Sequence, residues 1–216
     1  MKADLAQDAN RDAGIKPASK FAVDLVTSVG GNLGSVGRSL TRLGVNFNAV
    51  DLSNPPDGSR PIILPGVGAF GAVMASLKEG DFDQIIKSLV LAGTPFLGVC
   101  VGMQVLFDSS EEAPGVSGLG LVKGQVVKFT KGKVPQTGWN EVKPANNQKW
   151  PAGFVYFVNS YYAKPESETV TLYEANYFGS FCAAVSTENI TAFQFHPEKS
   201  GEFGESLLKR WVSDVV

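Results

Sequence analysis

From Phe21 onward, short unbroken apolar runs alternate with apolar stripes spaced three and four residues apart. Runs at Phe21–Val26, Val45–Val50 and Pro61–Leu64 are the length and texture of buried strands, and Pro95–Val99 repeats the pattern. Between the first two, Leu33, Val36, Leu40 and Leu43 keep one face of a helix over 33–43, with Asn32 as its N-cap. Phe82, Ile85, Ile86, Leu89 and Val90 form a second stripe behind Asp81, an N-cap candidate with Gln84 three residues on. Strands alternating with helices predict an α/β fold, an open and mainly parallel sheet flanked by helices. Ligands in such sheets bind beyond the carboxyl ends of the strands.

After Asp108 the texture turns β-rich. Leu121–Phe129, Gly153–Ala163, Thr169–Tyr177, Phe181–Ser186 and Ile190–Phe195 read as additional strands separated by turn residues, antiparallel in this C-terminal half. Phe203, Leu207, Leu208, Trp211, Val212 and Val215 then outline an amphipathic helix that covers the core. No internal repeat is visible. Residues 1–20 are polar, with Asp4, Asp8 and Asp12 among small side chains, and are expected to be a flexible extension to a single domain over 21–216.

Composition narrows the function. At 216 residues and 44% hydrophobic content the chain can bury a full single-domain core. Nineteen basic against 21 acidic side chains give a net charge of −2, so no electrostatic footprint for nucleic acid or an anionic membrane is present. No apolar run approaches the roughly 20 residues that span a bilayer, and a cytoplasmic protein is expected. Two cysteines, Cys100 and Cys182, and one histidine, His196, make neither a disulfide framework nor a zinc site. Neither metal nor cofactor is expected.

The chemistry concentrates at Cys100. A free thiol has a pKa of about 8.5, so a nucleophilic cysteine needs a helix N-terminus or a nearby imidazole to become thiolate. Cys100 lies between a predicted strand and a predicted helix starting near Val101, flanked by Gly98 and Gly102. That spacing, Gly-x-Cys-x-Gly, is the cysteine counterpart of the nucleophile elbow, and it makes the Val101 N–H an oxyanion-hole donor. Cys182, in a strand without such glycines, reads as a small buried hydrophobe. His196 ends a buried strand, and Pro197 stops further pairing there. Glu198, two residues on, falls on the same side of an extended segment and can hold the imidazole tautomer while the other ring nitrogen faces Cys100.

Gly66-Val67-Gly68-Ala69-Phe70-Gly71 matches the Gly-x-Gly-x-x-Gly pattern of dinucleotide sites. It belongs to the third strand–helix unit rather than the first, and no acidic ribose partner ends the next strand, which argues against a dinucleotide. The segment reads better as a loop beside Cys100 whose Gly66, Val67 and Gly68 backbone supplies a second oxyanion donor. Gly68 would let the Val67–Gly68 peptide turn between two orientations and so gate activity.

Gly98-Val99-Cys100-Val101-Gly102-Met103-Gln104, Pro65-Gly66-Val67-Gly68-Ala69-Phe70-Gly71, Glu111-Glu112-Ala113-Pro114-Gly115-Val116, Gly138-Trp139-Asn140 and Phe195-His196-Pro197-Glu198-Lys199-Ser200 together resemble the class I (triad) glutamine amidotransferases, from about Phe21 to the C-terminus. The resemblance implies hydrolysis of glutamine to glutamate and ammonia through a thioester on Cys100, with His196 as base and later acid and Glu198 orienting it. It further implies that Gln104, Asn159, Ser160 and Tyr161 contact glutamine. Ammonia would pass to a (β/α)₈-barrel cyclase subunit in a heterodimer, met by Trp139, Lys199 and Asn32. Ser28-Val29-Gly30-Gly31-Asn32, Gln136-Thr137 and Asn159 depart from the Tyr-Gly-x-Gly-Asn, His-Met and His usual at those places. These departures leave open a relative that feeds a different synthase, for instance in sugar amidation, or a catalytically silent subunit that activates a partner. A cysteine hydrolase of the same broad fold is the remaining alternative.

Overall fold

The computed structural model describes residues 21–27, 33–146 and 149–215. In chain order the elements are β1 (Ala22–Val26), α1 (Leu33–Arg42), β2 (Asn46–Val50), β3 (Ile62–Gly66), α2 (Phe70–Lys78), α3 (Phe82–Leu91), β4 (Phe96–Cys100) and α4 (Val101–Gln104). There follow β5 (Ser109–Ser110), β6 (Gly124–Lys128), β7 (Gln136–Pro144), β8 (Gly153–Asn159), β9 (Tyr161–Pro165), β10 (Thr171–Asn176), β11 (Ser180–Ser186), β12 (Ile190–Phe193) and α5 (Gly201–Asp214).

The main path of the sheet runs β2-β1-β3-β4-β12-β11-β10-β7-β8. The first five of these strands are parallel, and every pairing from β12 to β8 is antiparallel. The alternating half and the β-rich half therefore share one sheet, joined where β12 enters between β4 and β11. Strands β3 and β4 are buried along their whole length, which is why they appear in the sequence as continuous apolar runs. The core gathers Ile62, Ile63, Phe96, Leu97 and Phe193 from the sheet and Phe195 just past it with Leu40, Phe70, Leu77, Phe82, Leu207 and Trp211 from the helices.

Three expectations need correction. The segment Gly66–Gly71 is not all loop: Phe70 and Gly71 open α2, because Phe70, Val73, Met74 and Leu77 form a buried stripe that outweighs the poor helix propensity of glycine. Asp81 occupies the position before α3, but its side chain makes no capping bond. A 3₁₀ turn over 79–81 precedes it and leaves Asp81 at φ 60°, aiming the carboxylate elsewhere. Gly153–Ala163 is two strands rather than one, since the chain leaves β7 after Asn159 and pairs next with β6. Strand β7 itself escapes the sequence pattern because most of its residues are half-exposed or exposed. The Asn32 cap and the polar 1–20 segment lie outside the described residues.

Candidate active site

Parallel register builds the site. Gly66 pairs with Cys100 and Phe193 with Val99, so β3, β4 and β12 end side by side and release their next residues at one edge. Cys100 turns there with φ 56° and ψ −113°, a conformation that a non-glycine residue adopts only when its surroundings enforce it. The flanking glycines make the tight turn possible, because side chains there would collide with backbone. A Cβ on Gly98 would stand 2.6 Å from the Gly102 carbonyl oxygen, and one on Gly102 would collide with the Leu64 carbonyl. The helix after the elbow is only the single turn α4, so it delivers the Val101 N–H beside the sulfur but little macrodipole.

His196 follows β12 by three residues and is fixed from both sides. Its N–H donates to the Tyr156 carbonyl at 3.1 Å, while the Ser200 hydroxyl donates to the His196 carbonyl at 2.6 Å and accepts from Tyr156 N–H at 3.0 Å. Its Nδ1 is 2.9 Å from Glu198 Oε1, and both side chains are almost wholly buried. Burial alone would pull the imidazole pKa down. Hydrogen bonds to Cys100 and Glu198, together with the charges of both, outweigh burial and push it up to about 9. The structure thus brings Cys100, His196 and Glu198 into one chain of contacts. Cys182 is buried and its Sγ donates to the Ala184 carbonyl; burial pushes that thiol up to about 12.

The loop facing the elbow spans 66–69. Gly66 is buried against Val101 and Gly102, whereas Val67 is 40% exposed. Gly68 has φ 96° with open space where a side chain would be, a backbone that only glycine adopts at low cost. At the far end of this loop Glu112 Oε2 accepts the Phe70 N–H at 2.7 Å, capping α2 from outside the helix. Glu112 was legible only as part of a motif; nothing in its spacing announces the cap.

The amide side chains are more inward than expected of ligand contacts. Gln104 and Asn159 are both buried, and their Nε2 and Nδ2 donate to the same Tyr161 carbonyl at 3.2 and 3.0 Å. Ser160 and Tyr161 are half-buried at the turn from β8 to β9, and the Ser160 carbonyl accepts from Phe129 N–H. Asn159 Oδ1, Gln136 Oε1 and Glu198 Oε2 are buried acceptors without a partner among the described residues. Gln136 faces Asn159 across β7 and β8, so the two departures from the family's histidines are neighbours.

Away from the thiol, Trp139 and Phe154 are 58% and 60% exposed on one face of β7–β8, and Val158 joins them. Lys199 is exposed nearby, on the 3₁₀ turn after His196. Asn32 lies outside the described residues.

A strained cysteine turn, a carboxylate-backed imidazole and a glycine loop meet at the carboxyl ends of β3, β4 and β12, and this arrangement goes with one class: the chain belongs to the family "Glutamine amidotransferase class-I", whose model matches residues 23–215. Solved relatives share the fold at low identity. A chain titled "Structure of PurLQS from Thermotoga maritima" superposes with a TM-score of 0.74 at 19% identity, over 91% of this chain and 99% of its own. Another, titled "Crystal structure of glutamine amidotransferase", gives 0.72 over 88% and 97%. Sequence relatives are more specific. The imidazole glycerol phosphate synthase subunit HisH of Geobacillus thermodenitrificans is 42% identical over 197 residues, 86% of this chain and 92% of its own. The HisH subunit of Methanothermobacter thermautotrophicus is 40% identical over 86% of this chain and 94% of its own. Within the class, the chain falls among the HisH subunits.

Proposed function

We propose that this protein is the glutaminase subunit of imidazole glycerol phosphate synthase. It hydrolyses L-glutamine to glutamate and ammonia, and a HisF-type (β/α)₈-barrel subunit, bound as a heterodimer, uses the ammonia to convert PRFAR to imidazole glycerol phosphate and AICAR in histidine biosynthesis. The observation that carries the reading is the contact chain from Cys100 through His196 to Glu198, in a chain of HisH-like sequence.

The geometry supports the following roles. His196, raised to about 9, is an imidazolium at neutral pH and is the partner that favours the thiolate a cysteine nucleophile needs. The thiolate attacks the carboxamide carbon of glutamine, and the N–H of Val101, with one from Gly66, Val67 or Gly68, receives the oxyanion. His196 gives its proton to the leaving nitrogen, releasing ammonia and leaving a thioester on Cys100. His196, now neutral, takes a proton from water as the hydroxyl oxygen adds to the thioester, and collapse releases glutamate. Glu198 keeps Nδ1 as the bonded nitrogen throughout. Gln104 and the Asn159–Tyr161 turn form one wall of the glutamine pocket. Trp139 and Lys199 belong to the face that meets the barrel, with Asn32 as a further candidate contact to it, and the open Gly68 peptide is where partner binding reorganises the oxyanion donors.

Residues 21–216 act as one amidotransferase domain, with 1–20 as an extension. The cytoplasm is the proposed location, since Cys100 and Cys182 are both free and Cys100 must stay reduced. Among the described residues no helix is long and apolar enough to cross a membrane.

The test combines the protein with a HisF partner, PRFAR and either glutamine or an ammonium salt. Cys100→Ala is expected to abolish glutamine-dependent turnover and keep ammonium-dependent turnover. Glutamine-dependent turnover in that variant would overturn the nucleophile assignment, and an inactive wild type with several HisF partners would favour a different acceptor synthase.

A further inference from the structure

Gln194 is fully buried, two residues before His196, and the mechanism above gives it no part. Its Oε1 accepts from Gln104 Nε2 at 3.0 Å, and its own Nε2 stands 4.0 Å from Cys100 Sγ, at the long end of N–H···S contact. Its backbone N–H donates to the Ala183 carbonyl of β11, so the bend one residue past β12 that carries the side chain is tied to the sheet.

The polarity of this arrangement is determined. A thiolate is only an acceptor, so the Gln194 end facing it must be the amide nitrogen. The Gln194 oxygen then faces Gln104, which must present its own nitrogen. The other N–H of that nitrogen reaches the Tyr161 carbonyl at 3.2 Å, so both ends of the chain demand one orientation of both amides. A buried glutamine needs partners for both ends of its amide, and here one of those partners is the sulfur.

We propose that Gln194 is a positioning residue that steadies the Cys100 thiolate and is itself oriented by Gln104, so that the pocket-side amide and the nucleophile respond as one unit. The inference rests on the reading of Cys100 as nucleophile. With Gln194 in place the sulfur meets a donor besides the imidazole, and the donor's direction depends on the bond from Gln104.

The experiment follows alkylation of Cys100 by iodoacetamide against pH, with mass spectrometry of the Cys100 peptide and no substrate or partner present. In Gln194→Met the acid limb is expected to move up by about half a pH unit, roughly a threefold loss of thiolate at a fixed pH. In Gln104→Met it is expected to move the same way by less, and the double variant no further than Gln194→Met. An unchanged limb in Gln194→Met would overturn the proposal, and additive shifts would overturn the coupling. Gln194→Glu, of the same shape but with no amide donor, is expected to shift at least as far as Gln194→Met, and a wild-type profile there would also overturn it. Because the readout needs no turnover, shifts in a protein that fails to hydrolyse glutamine would leave this inference standing while the function fell.

Discussion

At the scale of single residues, the site depends on one strained cysteine and one imidazole. His196 has a folded pKa raised from 6.5 to about 9, so its partnership stabilises the native state fully below 6.5 and is lost as pH rises through 9. Urea midpoints at pH 6 and pH 9.5 should therefore differ in the wild type, and the difference should shrink in His196→Gln. As His196 is the only imidazole, its NMR titration can be read without assignment; Cys100→Ala should lower the midpoint, because two of the raising interactions vanish. The elbow is just as exacting. Gly102→Ala forces a methyl group into the Leu64 carbonyl and is expected to cost about 3 kcal/mol or more in urea unfolding. A variant as stable as wild type would mean that β3 and α4 can separate.

At the scale of elements, the loop 66–69 is held at one end by register with Cys100 and at the other by Glu112 on the first turn of α2. Glu112→Ala should cost about 1 kcal/mol, the size of a helix cap, and should speed hydrogen exchange of the 67–69 amides more than those of β3. Equal exchange in both proteins would show that the cap does not restrain the loop. How much of this could be read from the sequence depended on burial. β3 and β4 lie between covered faces, so their residues are uniformly apolar and visible, as are the flanking glycines of Cys100. β7 borders solvent, and its Trp139 and Asn140 carry no alternation to betray a strand. Gln194 and Ser200 looked ordinary because their importance lies in partners 94 and 44 residues away, Cys100 and Tyr156, and no local pattern encodes a distant neighbour.

At the scale of the whole molecule, the thiol and the apolar β7–β8 face are linked through one strand. Tyr156, on β8 between Phe154 and Val158, is the residue whose carbonyl receives the His196 N–H. A partner seated on Trp139 and Phe154 would therefore press on a strand that holds His196. Trp139→Ala is expected to weaken binding of a HisF partner at least tenfold by titration calorimetry, as for a central aromatic anchor. Unchanged affinity would move the interface elsewhere.

The place of β12 has a consequence for how the protein comes into being. Although it is the last strand made, it lies in the middle of the sheet, between β4 and β11, and it leads His196 to a cysteine 96 positions earlier. A nascent chain emerging from the ribosome can form the parallel half early, yet its sulfur stays unpaired until the final strand has slotted into place. Closing so long a loop is slow. The step that completes the fold is thus the same step that brings His196 to Cys100, and an unfinished or truncated chain holds the thiol without its imidazole.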